Sequence, residues 1–291
     1  MQKLLSMLFL LVAWSGLAPA ADCMNGRGDF QKPLWDGYTL QIGPAQGDHK
    51  NECFAAVIAP DGKTVFNVFG MDATMLRVTG RDVNGDGKPD VVLLTHASSS
   101  PENVYSIVGT AEPAGLIRQI ATSAELSFEE RSEGHTEIVT RDTSFRDLEG
   151  LPGDQTPAPM LFLRLKGKEI YNVSQVYWPE YELAIKEARA KLSKNDMGLL
   201  KTDEFAQKGH KDKDLSPQEI AHIQDVKSVV LEIVLDYIYG GKGEEGWKLL
   251  TEFWAYSDRQ RIRQELLRRR MAGVLRDINR PASAPAPSTS R

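Results

Sequence analysis

The sequence has two cysteines, five histidines and a net charge of only −5 over 291 residues. So slight a charge lacks the basic excess of a nucleic-acid binder. Past the N-terminal segment no apolar run reaches the length of a membrane-spanning helix, so no transmembrane segment is expected in the mature chain. The common catalytic signatures are missing too. There is no G-x-S-x-G, no H-E-x-x-H, no P-loop and no nucleotide-binding glycine pattern after a strand. The run GGKGEEG at 240–246 lacks the Ser or Thr that must follow Gly-Lys, and reads as a turn between helices. The histidines at 49, 96, 135, 210 and 222 are scattered, each reading as a satisfied or solvated side chain. Carboxylates are many, so a catalytic pair of them stays open.

What is present begins with an export signal. Lys3 precedes the apolar run Leu4 to Trp14, and Ala18-Pro19-Ala20 is a small-x-small cleavage site. Residues 1–21 read as a signal peptide rather than an anchor, because the run is short for a bilayer. The mature chain is then secreted or periplasmic, with about 270 residues, enough for one large domain or two modest ones. Cys23 and Cys53 both fall in the exported part, where an oxidising setting favours a disulfide over free thiols.

From about 38 to 176 the pattern is that of strands. YTLQI, CFAAVIA, KTVFNVF, MLRVTG, DVVLLTH, NVYSIVG, LIRQIA, TEIVTRD, MLFLRLKG and EIYNVS are short and rich in β-branched and aromatic residues. Ala59-Pro60-Asp61-Gly62 predicts a hairpin turn. After Tyr177-Trp178-Pro179 the period becomes helical, with Tyr181, Ile185, Ala188 and Leu192 on one stripe. Residues 193–215 read as a polar linker. Ser216-Pro217-Gln218-Glu219 then predicts a capped helix start, and Gly240-Gly241 its end. A third helix is expected near Glu244 and a fourth from Asp258 to about Asn279. The tail PASAPAPSTSR, 281–291, is low-complexity and expected to be disordered. The expected fold class is α+β: an antiparallel β domain over 22–176, blade-like sheet or sandwich, then a small helical domain over 177–280.

The stretch DVNGDGKPD offers oxygen donors at Asp82, Asn84, Asp86 and Asp90, with Lys88 supplying a backbone carbonyl. Calcium takes six to eight hard oxygens in a flexible shell, and alternate residues of a tight loop can turn theirs inward. Gly85 and Gly87 permit the backbone such a coil demands. An EF-hand is excluded, since position 12 is Leu93 rather than Glu and no helix flanks the loop. A plain Asp/Asn/Gly turn is the competing reading, but it does not need four oxygen donors at odd spacing.

Over about 78–108, with Tyr105-Ser106-Ile107-Val108 as the next strand, these residues resemble the calcium loop of FG-GAP or VCBS-type repeats, found in blades of integrin-α-like β-propellers. The resemblance implies side-chain ligation by Asp82, Asn84, Asp86 and Asp90, carbonyl ligation by Lys88, and a structural ion in a domain that binds or scaffolds.

The segment 258–280 carries eight arginines against three acidic residues. Leu267, Met271, Val274, Leu275 and Ile278 define its expected apolar face. Arg261, Arg268, Arg269 and Arg276 lie largely opposite, as a solvated face or a docking surface for an acidic partner or anionic lipid. The expected function is a calcium-stabilised, non-catalytic binding module. The alternative is a secreted hydrolase with its site where the β and helical parts meet. A pocket there with two or more perturbed carboxylates or a histidine pair would favour the hydrolase, and a flat polar junction the module.

Overall fold

A computed structural model of the chain describes residues 22–279 except 25, 97–101, 132–133 and 202–215. The expected signal peptide and low-complexity tail lie outside the described residues, as does most of the polar linker. The fold is α+β, with antiparallel strands first and helices after.

Among the described residues three antiparallel sheets follow one another. The first holds β2 (Phe30–Pro33), β3 (Thr39–Pro44), β4 (Cys53–Ile58) and β5 (Thr64–Gly70) in that order. The second holds β6 (Asp72–Met75), β7 (Asp90–His96), β8 (Asn103–Gly109) and β9 (Gly115–Thr122), with β1 (Asp22–Met24) added beside β6. The third holds β10 (Ser127–Glu130), β11 (Thr136–Arg141), β12 (Met160–Lys166) and β13 (Glu169–Asn172). The helices are α1 (Trp178–Ala190), α2 (Asp196–Leu199), α3 (Pro217–Tyr239), α4 (Gly243–Phe253), α5 (Arg259–Ala272) and α6 (Val274–Asn279).

The alternation of side chains explains the layering. Val91 and Leu93 of β7 join Leu40, Ile42, Val57 and Val108 in a core between the first and second sheets. Val92, between them in sequence, points the other way and joins Ile107, Ile120, Ile138 and Phe162 in the second core. β7 is therefore buried on both faces. The second core continues into the helices through Tyr181, Ile185, Val230, Val234, Leu250 and Ile262, so helices and third sheet share one apolar interior.

The disulfide Cys23–Cys53 is formed, with Cα atoms 5.8 Å apart. It ties β1 of the second sheet to β4 of the first. The hairpin turn after β4 is present, with Gly62 at φ 84° and its amide donating to the Ala59 carbonyl. Ser216 caps α3 in a full capping box with Glu219.

Two expectations need correction. MLRVTG is not a strand: β6 ends at Met75, and Leu76 to Arg81 form turns, with the Thr79 amide on the Leu76 carbonyl. The C-terminal helix is two helices, broken at Gly273. A Cβ there would lie 2.5 Å from Asp142 Oδ2, so the backbone must pass tight against that carboxylate. The buried face of α5 is Ile262 and Leu266, while Leu267 is partly exposed and Met271 is 78 % exposed. Only Val274 and Ile278 of the expected face are fully buried.

Candidate functional site

The acidic loop connects Arg81 to β7 and closes on its own amides. Asp82 Oδ1 accepts from the amides of Gly85 at 2.7 Å and Asp86 at 3.2 Å, and its Oδ2 from Gly87 at 2.7 Å. Asn84 Oδ1 accepts from the Asp86 amide, and Asp86 Oδ1 from that of Lys88, each at 2.8 Å. Gly85 and Gly87 hold φ of 78° and 84°, which L-residues adopt at a cost. Asp90 Oδ2 accepts from the amides of Val83 and Asn84. Its Oδ1 is buried with no hydrogen-bond partner among the described residues. The loop is fixed to the third sheet by the Thr136 hydroxyl on the Asp82 carbonyl and the Gly167 amide on that of Asn84.

Asp90 is wholly buried, and burial raises its carboxyl from 3.8 to about 7. The Val83 and Asn84 amides oppose that rise, and the charges of Asp86 and Asp82 add to it. An ionised carboxylate has about four acceptor positions, so amide bonds leave these side chains capacity for a cation. Among the described residues no three His, Cys, Asp or Glu side chains converge as a metal cluster. The donors share one loop, with oxygens turned onto its amides.

Most of the arginine surface is held by internal partners. Arg261 pairs with Glu149 and Asp258. Arg268 and Arg269 share Glu265, whose carboxyl they lower to about 2, and Arg269 also donates to the Ser144 and Arg146 carbonyls. Arg276 lies beside Leu267, Met271 and Leu275 in a shallow surface depression.

The junction of strands and helices is a cleft of about 870 Å³, not a flat surface. Its walls are one face of α1, one face of α3, the start of β12 and the segment 154–159. The α3 face presents His222, Asp225, Val229, Glu232 and Asp236, spaced by three and four residues as helical geometry requires. Opposite stand Glu180, Ala184, Glu187, Ala188 and Lys191 of α1 and its end. Seven carboxylates and two permanent cations, Arg141 and Lys191, line the space.

Most of these carboxylates have partners. His222 Nε2 lies 2.9 Å from Asp196 Oδ1, Gln155 donates to Asp225 at 3.0 Å, Lys191 lies 3.6 Å from Glu232, and Arg131 pairs with Glu180. Asp236 differs. It is 6 % exposed, and among the described residues no hydrogen bond or ion pair reaches its carboxyl. Burial raises that carboxyl to about 7, Glu232 adds to the rise, and Arg141 and Lys191 oppose it.

The sequence places the loop donors together and offers the strand–helix junction as an alternative site, but not the residues that line the cleft there. Its signal was there: Asp236 interrupts the apolar run Ile233 to Tyr239, and a lone carboxylate in such a run asks for a reason. Of the histidines, His49, His96 and His222 each sit against a carboxylate, and His210 lies outside the described residues. No family model, curated protein or solved structure matches the chain, so the reading of loop and cleft rests on their own chemistry.

Proposed function

We propose an exported binding module, stabilised by one structural calcium ion, that seats its ligand in the cleft between the third sheet and the helices. The carrying observation is Asp236, a buried carboxyl facing open volume with no partner among the described residues. Carboxylates that serve the fold alone are neutralised or hydrogen-bonded. One left bare on a cleft wall is suited to a group brought by a ligand.

The calcium part rests on Asp82, Asn84, Asp86 and Asp90 as side-chain ligands and the carbonyl of Lys88. A dication among three crowded carboxylates would remove their repulsion and hold Asp90 ionised. Export is supported by the apolar N-terminal run with its cleavage site and by the disulfide. The test is a binding screen of amines, neutral oligosaccharides and dicarboxylates by calorimetry, repeated on the cleft-filling variant Ala184→Trp. Binding without turnover that disappears in the variant supports the module. Binding indifferent to it places the seat elsewhere.

A second reading, a secreted hydrolase acting in the same cleft, is the one that the criterion drawn from the sequence favours, since the junction is a cleft rather than flat, with Asp236 raised and Asp196 lowered. Asp236 is raised to about 7, where a carboxyl can donate a proton at neutral pH, and His222 is oriented by Asp196. Turnover of a nitrophenyl glycoside or ester, lost in Asp236→Asn, would select it over the module.

A further inference from the structure

We infer that the cleft takes a linear aliphatic polyamine. The inference rests on the reading of the cleft as the ligand seat and names what sits there. Sign comes first. Seven carboxylates against two permanent cations repel a phosphate, sulfate or carboxylate ligand. Hydrogen-bond sense agrees. Among the described residues the buried wall groups without a hydrogen-bond partner are acceptors: the carboxyl of Asp236 on α3, and Gln155 Oε1 on the segment 154–159. The ligand must therefore donate, and an ammonium donates three times and accepts nothing.

Spacing decides between one compact ion and a chain of charges. At about 1.5 Å rise per residue, Glu232 and Asp236 stand about 6 Å apart along α3, and Asp225 and Glu232 about 10 Å. Glu180 and Glu187 on α1 repeat the longer interval. A single metal ion cannot answer charges so spread. Ammonium groups separated by three or four methylenes can. Between the carboxylates lie Ala184, Ala188, Val226 and Val229, small apolar surface that suits methylenes. A neutral sugar would leave both the carboxylates and this apolar floor poorly matched.

The test is calorimetry of the full chain with spermidine, at low and moderate salt, with maltotriose as a neutral probe. Expected is one site per chain, weakened about tenfold or more by Asp236→Asn and by Glu232→Gln. The pair Glu244→Gln and Glu245→Gln, exposed at the start of α4, should leave binding unchanged. Asp236 faces Glu232 on its own helix, Arg141 on β11, and Tyr181 and Lys191 at α1. A bound cation favours its ionised form, so spermidine affinity should rise between about pH 6 and pH 8.

Ala184→Trp, which removes space and no charge, should also abolish binding. Spermidine binding that survives both Asp236→Asn and Ala184→Trp would be diffuse attraction to an acidic surface and would overturn the inference. No binding of spermidine at millimolar concentration overturns it as well. Maltotriose binding lost in Ala184→Trp would then show the cleft to be the seat of a different ligand.

Discussion

If the acidic loop holds calcium as proposed, removing the ion should destabilise the protein in a manner set by Asp90. In the metal-free fold burial lifts its carboxyl to about 7 from the ordinary 3.8. A folded value above the unfolded one means that the proton stabilises the fold. That contribution is complete below the unfolded value and is lost as pH rises through about 7. The difference is about three pH units, or about 4 kcal/mol at about 1.4 kcal/mol each. The metal-free protein should therefore weaken steadily between about pH 4 and pH 7. A calcium ion on Asp82, Asn84, Asp86 and Asp90 replaces the proton, so the stabilisation calcium gives should grow with pH. At a hundredfold excess over Kd the ion adds about 2.7 kcal/mol, and Tm should rise by about 5–10 °C for a chain of this size.

The assay is thermal melting at about pH 5 and pH 8, with chelator and with millimolar calcium. Asp236, also raised to about 7, adds a pH slope that calcium leaves alone, so the calcium effect is read as the difference between paired melts. Asp86→Ala should abolish that difference. Lys88→Ala should keep it, because the proposed site uses only the Lys88 carbonyl. Protein stripped of metal that melts identically with and without calcium at both pH values would refute the argument and leave the loop an ordinary turn.

Three further outcomes are expected. N-terminal sequencing of exported material should begin at Ala21 or Asp22, and an intact Met1 on membrane-bound protein would contradict the signal-peptide reading. The Cys23–Cys53 bridge spans a sequence separation of 30, so the double Ala variant should lose about 3–4 kcal/mol in denaturant melts. A loss under about 1 kcal/mol would mean the unfolded chain is already constrained there. Arg164→Met removes the guanidinium from Glu137, a wholly buried carboxylate otherwise reached by the Tyr177 hydroxyl at 3.0 Å. It should cost about 3–5 kcal/mol, and Glu137→Gln added to it should recover part of the loss. An additive double variant would show the two side chains to be uncoupled.

The strands from Tyr38 to Asn172 were largely legible because each pairs with its neighbour in sequence, so local pattern and sheet order agree. Ser216 to Glu219 was legible for the same reason, its cap being made within four residues. MLRVTG misled because Leu76 is only half-buried beside β7 while its neighbours turn, which composition does not record. The C-terminal helix misled because its break depends on Asp142, remote in sequence, whose carboxylate also takes the Tyr239 hydroxyl at 2.5 Å. The junction was legible as a possible site, but the residues lining the cleft stayed hidden because α3 is apolar on one side and polar on the other. A polar stripe reads as a solvated face until α1 and the segment 154–159 are seen to wall it in.

β7 belongs to two interiors at once, and this bears on how the molecule opens. A strand covered on one face can fray while the rest stays folded. Exposing Val92 separates the second sheet from the third, whereas exposing Val91 and Leu93 separates it from the first, and β7 cannot leave the ladder without doing both. The β7 amides should thus exchange with deuterium only when the molecule unfolds as a whole, while those of the outer strand β13 exchange through local opening. The acidic loop leads straight into β7. An ion bound there would act on the least escapable strand of the molecule, and its effect would be felt as slower global unfolding rather than as the quieting of one loop.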